Sequence, residues 1–240
     1  MSAPSVDVIR WGRERVRTGP WRGDGAVAFV APVPDAPLPS AEFVRRCLGT
    51  LSERGFSRVV TAALSPVEQR GFLAAGFEVA ERLHLLACDL DSVPEVPPGL
   101  TLRRVGWVLR PAVLAVDHAA FPPFWRFDGE GLEEALRATP RTRFRIAVEP
   151  DAGRRILGYA ICGRCGPRGF VQRLAVHPDA HRRGVGRGLL LDGLQWMRRR
   201  GVRRAVVNTQ LGNHAALTLY HQTGFRDEPA GLSVLSTGLP

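Results

Sequence analysis

The sequence predicts an α+β fold in two parts, and three observations carry that expectation. From residue 99 onward, strand-like and helix-like stretches follow one another in a mixed order instead of alternating regularly, which separates α+β from α/β architectures. The run Pro94-Glu95-Val96-Pro97-Pro98-Gly99 reads as a linker and divides the chain into residues 1–96 and 97–240. A weak internal repeat spans that join. Arg54-Gly55-Phe56 followed by Phe72 and Gly76-Phe77 recurs as Arg200-Gly201-Val202 followed by Tyr220 and Gly224-Phe225, with separations that differ by only two residues.

In the first part, an amphipathic helix over about 40–54 precedes the Arg-Gly turn, and a strand over about 79–90 follows the Gly-Phe turn. The segment before that helix, from Ala31 to Pro39, is rich in proline and has no glycine. The second part opens with a strand at about 100–104 and helices at about 110–120 and 129–138. Strands at about 144–149 and 156–163 come next, joined by a turn at 150–153, and a strand at about 170–176 ends at the break His177-Pro178-Asp179. Leucines 189, 190, 191 and 194 with Trp196 and Met197 mark the inner face of a helix over about 187–200. A strand over about 203–209, a helix over about 213–222 and a strand over about 230–238 complete the order.

The chemistry concentrates at Arg182-Arg183-Gly184-Val185-Gly186-Arg187-Gly188, between the strand ending at Val176 and the leucine-rich helix. Glycines at 184, 186 and 188 let backbone approach a ligand without a Cβ in the way, and the unpaired N–H groups of a helix's first turn attract an anion. Arg182, Arg183 and Arg187 add fixed positive charge. A dinucleotide fold would need a carboxylate near Val206-Val207-Asn208-Thr209, where there is none, and a nucleoside-triphosphate loop would need a lysine, which the chain lacks throughout.

The segment His181-Arg182-Arg183-Gly184-Val185-Gly186 resembles the pyrophosphate loop of the GNAT N-acyltransferases, Gln/Arg-x-x-Gly-x-Gly/Ala, with His181 in the leading position. Downstream, Asn213, Ala216, Tyr220 and Gly224-Phe225 match the family's Asn-x-x-Ala-x-x-x-Tyr-x-x-x-Gly-Phe pattern. The resemblance covers about residue 100 to the C-terminus and implies a GNAT fold, a mixed, mostly antiparallel central sheet flanked by helices; the first part resembles a degenerate, truncated GNAT half without a cofactor site. The implied activity is N-acetyl transfer, with acetyl-CoA as cosubstrate and a primary amine of a small molecule or protein N-terminus as acceptor; a homodimer is a further possibility. The alternative is a non-catalytic acyl-CoA-binding or interaction protein of the same fold. By position, Leu174, Ala175 and Val176 would offer backbone groups to the pantetheine and carbonyl oxygen, Asn213 would bond the cofactor arm, and Tyr220 would protonate the leaving sulfur.

The strand that carries a glutamate in many relatives has Gln172 and Arg173 here. The base is left open between a carboxylate elsewhere, His118 and a water chain held by Asn208. The acceptor pocket is expected around Phe121, Phe124 and Trp125, with Gln172 and Asn208, although the same aromatic cluster could form domain-interface core.

All 33 basic side chains are arginine, a bias that runs through the whole chain and lowers the weight of its net charge of +10. The distribution still informs, since residues 1–98 hold 11 arginines against 12 carboxylates and residues 99–240 hold 22 against 11. The excess coincides with the loop, as a phosphate-rich ligand requires. Arg198-Arg199-Arg200 and Arg203-Arg204 lack interleaved aromatics and lie at a helix C-terminus, where cations meet the dipole favourably, so capping is preferred to nucleic-acid binding. Cys162 and Cys165 have the spacing of a metal or redox pair but no second pair beside them, so no metal is expected. Residues 1–7 show no secretory signal and no apolar run is long enough to span a membrane, so a soluble cytoplasmic protein is expected.

Overall fold

The computed structural model describes residues 7–149 and 155–240. The expected turn at 150–153, and all but the last residue of the segment used to judge a secretory signal, lie outside them. In chain order the elements are β1 (Asp7–Trp11), β2 (Glu14–Trp21), β3 (Asp24–Pro32), α1 (Ala41–Glu53), β4 (Arg58–Thr61), α2 (Pro66–Ala74), β5 (Glu78–Asp89), β6 (Thr101–Arg104), α3 (Arg110–Ala120), α4 (Gly129–Arg137), β7 (Arg141–Val148), β8 (Ile156–Cys165), β9 (Arg168–Val176), α5 (Val185–Arg198), β10 (Arg204–Gln210), α6 (His214–Gln222), β11 (Arg226–Asp227) and β12 (Leu232–Gly238). Two compact units result. The first comprises residues up to Leu85 with Gln210–Gly212 and Glu228–Pro240, and the second comprises Leu86–Thr209 with Asn213–Asp227.

In the first unit the strands run β1-β2-β3-β4-β12-β5. Pairing is antiparallel except between β3 and β4. β1 to β3 form a meander that went unread in the sequence, because arginine and glycine interrupt the alternation of 7–32. Helix α1 starts at Ser40, whose hydroxyl accepts from the Phe43 N–H, and α2 starts at a capping box of Ser65 and Glu68. Phe43, Leu51, Leu64, Phe72 and Leu235 fill the core at 1% exposure or less, each contributing about 1.5–3 kcal/mol by burial.

The strand expected to end the second part therefore lies elsewhere. β12 pairs antiparallel with β4 and with the first half of β5, and belongs to the first unit. β5 itself is divided, with Leu86 and the residues after it counted in the second unit, where β11 pairs with Leu86 and Ala87.

In the second unit the order is β10-β9-β8-β7-β6, parallel between β10 and β9 and antiparallel elsewhere. Helices α5 and α6 cover one face through Leu189, Leu190, Leu194, Met197 and Tyr220. The other face packs Val113, Leu132, Ile146, Tyr159 and Ile161. Cys162 is buried toward Gly193 of α5 whereas Cys165 is exposed, so the strand's two-residue period sends the two thiols to opposite faces. Among the described residues no cluster of metal-ligand type occurs, and no helix is long and apolar enough to cross a membrane.

The repeat seen in the sequence has a structural counterpart. Gly55 and Gly201 both take left-handed φ angles, 87° and 77°, as do Gly76 and Gly224, 97° and 94°. The Phe77 N–H donates to Phe72 O at 3.1 Å and the Phe225 N–H to Tyr220 O at 3.0 Å. Each turn also sets two rings together, 5.3 Å apart for Phe72 and Phe77 and 5.6 Å for Tyr220 and Phe225.

Candidate active site

The site begins with a divergence of two parallel strands. β9 pairs with β10 only from Arg168 to Phe170, opposite Arg204 to Val206. Beyond Phe170 the β10 side of β9 is free of pairing with that strand, which leaves Leu174, Ala175 and Val176 on a backbone edge able to hydrogen-bond an extended ligand. On its other side β9 pairs with β8, and the register shifts at Gln172: Ile161 faces Arg173 but Cys162 faces Val171. This bulge accentuates the local twist and bends the strand.

At the end of that strand lies the glycine loop. Arg182 and Gly184 have φ angles of 61° and 76°, left-handed residues on either side of Arg183, a backbone pattern of the kind that forms anion-binding nests. Gly184 caps α5 with no side-chain bond, and the helical bonding of this turn includes Gly188 N–H to Gly184 O at 2.9 Å. The N–H groups of Val185, Gly186 and Arg187 precede it and remain for a ligand. The helix thus starts two residues earlier than the sequence suggests. A Cβ on Gly186 would meet Leu219 and Val176 at 3.3 and 3.4 Å, so this glycine sits where α5, α6 and β9 converge. Gly188 faces the other way, since a Cβ there would lie 2.3 Å from Leu100; its smallness serves packing.

The arginines divide their work. Arg182 is exposed and Arg187 half-buried beside the loop, whereas Arg183 is held by Glu149 at 2.7 Å. His181 lies 3.2 Å from Val176 O, which ties the loop to the strand end. Asn213 caps α6 by accepting from the Ala216 N–H at 3.2 Å, so its carbonyl is used and its amide N–H groups are left for a ligand. Tyr220, 5% exposed, stands in the α5/α6 core, and burial, then the neighbouring Cys162, pushes its phenol well above the ordinary value. The group stays protonated at any ordinary working pH.

The residues expected around the acceptor are placed as follows. Phe124 is exposed and meets Trp125 edge-on at 5.1 Å, Phe121 is half-buried, and Asn208 is exposed on β10. Both amide atoms of Gln172 are buried without a hydrogen-bond partner among the described residues. Arg173 is wholly committed, with Nε and an Nη on the Asp117 carboxylate at 2.8 and 2.9 Å. His118 Nε2 lies 2.7 Å from Phe127 O, an acceptor, so this nitrogen is a donor and takes no proton from an amine. Asp117 and Tyr159 were not among the residues expected at the site from the sequence. The signal was present for Asp117: it falls one position after Val116 and four after Val113, on the apolar stripe of α3, where a carboxylate must be paired.

Residues 111–225 match the Acetyltransferase (GNAT) family. Mycothiol acetyltransferase of Saccharomonospora viridis is 30% identical over 64% of this chain and 56% of its own, and that of Saccharopolyspora erythraea is 33% identical over 55% and 45%. The chain spans about half the length of these curated relatives. Among solved structures, a tandem GNAT protein from the clavulanic acid biosynthesis pathway superposes with a TM-score of 0.71 at 16% identity, covering 98% of this chain and 83% of its own. The residues that match the family, 111–225, include the diverging strands β9 and β10 and the glycine loop, and the fold is similar to that of the tandem GNAT protein.

Proposed function

We propose that the protein is an acetyl-CoA-dependent N-acetyltransferase that passes the acetyl group directly to a primary amine, both substrates being bound together in the second unit. The observation that carries this reading is the free edge of β9 ending at the N-terminus of α5. The N–H groups of Val185, Gly186 and Arg187, with Arg182 and Arg187, suit a pyrophosphate; the edge at Leu174 to Val176 suits a pantetheine amide and a thioester carbonyl. Arg183 contributes less charge because Glu149 neutralises it. Acetyl-CoA, when bound, supplies the activated acyl group. Asn213 directs its amide toward the cofactor arm, and Tyr220 donates its proton as negative charge develops on sulfur. Gln172, Phe121, Phe124, Trp125 and Asn208 form the acceptor side. The relatives' name favours an acceptor amine carried by a small thiol.

Tyr220→Phe tests the assignment. Turnover is expected to fall about 10²- to 10⁴-fold while acetyl-CoA affinity stays within a few-fold, because the hydroxyl matters when charge develops on the leaving group. Thiol release is followed across a panel of polyamine, aminoglycoside, amino-sugar, aminothiol and peptide N-terminal amines. Equal turnover in the variant would make Tyr220 structural. Binding without thiol release from any amine would favour the non-catalytic acyl-CoA-binding protein instead.

A further inference from the structure

The most heavily bonded side chains on the acceptor face are three that no role in acetyl transfer has yet used. Asp117, fully buried on α3, receives the bidentate guanidinium of Arg173 from β9, the hydroxyl of Tyr159 from β8 at 2.5 Å and the backbone N–H of Phe127 at 2.7 Å. Four donors thus satisfy one carboxylate, which is what a buried charge demands. Arg173 does more than neutralise it. One Nη donates to Trp125 O at 2.7 Å, and the guanidinium carbon lies 3.5 Å from the centre of the Phe121 ring and 4.1 Å from that of Phe127. The segment from Phe121 to Phe127 is therefore gripped at both ends and near its middle by one side chain. That side chain arises at the first residue after the Gln172 bulge, on the strand whose edge leads to Leu174–Val176.

Resting on the proposed activity, we infer that Asp117, Arg173 and Tyr159 are positioning residues, a clamp that sets the acceptor wall at a fixed distance from the bulged strand and hence the amine from the thioester. An arginine stands in the strand position here because it supplies rigidity. Its planar fork and its stacking over an aromatic ring are things a lysine could not reproduce. Misplacing a reactant by about 1 Å can cost about 10²-fold in rate, so a wall released from β9 would lose catalytic efficiency toward the amine without disturbing the glycine loop.

The test compares Tyr159→Phe, which removes one bond to the carboxylate, with the paired Asp117→Asn/Arg173→Met, which removes both charges so that neither is stranded in the interior. For the paired variant, acetyl-CoA affinity by calorimetry is expected to stay within about threefold. Its kcat/KM for the best amine of the panel, normalised to folded protein, is expected to fall about 10²-fold. Tyr159→Phe should show a smaller loss of the same kind. Arg173→Lys, with Asp117 kept, should retain only part of the efficiency. Hydrogen exchange should show faster exchange of the Phe127 amide, with β10 unchanged. A paired variant that folds and keeps the wild-type amine kcat/KM, or one that loses acetyl-CoA binding equally, overturns the clamp. If no amine is turned over by the unaltered protein, the proposed activity fails, and exchange alone decides: an unaltered Phe127 amide in the paired variant then rejects the clamp as well.

Discussion

Cys162 shows how a single buried residue writes itself into the pH dependence of stability. Its side chain is 1% exposed, and a Cβ on Gly193 of α5 would lie 2.4 Å from its sulfur, so nothing solvates a thiolate there. Burial, reinforced by Asp192, pushes the thiol from 9.0 to about 12. The folded state therefore holds a proton that the unfolded chain releases above about pH 9, and stability is complete below that pH and declines as pH rises toward 12. Each pH unit inside this window costs up to about 1.4 kcal/mol from this one group. Urea denaturation at pH 8 and pH 10 is expected to show a shallower loss for Cys162→Ala than for the unaltered protein, on top of the variant's constant packing cost. Parallel losses would mean the thiol ionises in place.

At the scale of elements, the two repeats differ where the site differs. In the second unit the small residue lies in the first turn of the helix that follows the loop: a Cβ on Gly186 of α5 would meet Leu219 of α6. In the first unit the small residue lies on the helix, since a Cβ on Gly71 of α2 would lie 1.9 Å from Pro39 O. The proline-bearing loop thus leans on α2, and β3 stays paired with β4 through Thr61 without the divergence of β9 and β10. These contrasts support a single cofactor site, in the second unit. Gly186→Val should press on Leu219 and Val176 and weaken acetyl-CoA binding at least about 10-fold, while titration of the unaltered protein should give one site per chain. Unchanged affinity, or a stoichiometry of two, would move the site. Helices α3, α5 and α6 were legible because each carries an apolar stripe of helical period behind a proline, a glycine or an asparagine at its start. The bulge at Gln172 was not, because a one-residue register shift depends on the neighbouring strand, and Arg173 read as a lost base because its partner lies 56 residues away.

For the whole molecule, the fate of the last strand separates sequence order from structural membership. The repeat pattern pairs the run after Gly224-Phe225 with the run after Gly76-Phe77 and so places it in the second half. Local pattern can specify that 232–238 is a strand, but not which edge it joins, because the choice is made by contacts more than 150 residues apart, such as Leu235 N–H to Thr61 Oγ1 at 2.9 Å. Leu235 is fully buried among Phe43, Leu51, Val59 and Phe72 of the first unit, and Leu64 bonds reciprocally with Ser233 at 2.8 and 2.9 Å. Leu235→Ala should therefore leave a cavity in the first core and cost about 2–5 kcal/mol. The loss should register as faster hydrogen exchange in β4 and α1, whose packing Leu235 completes, before it registers in α5 or β10. Faster exchange confined to α5 and β10, with β4 and α1 as protected as before, would return the last strand to the half of the chain from which its sequence comes.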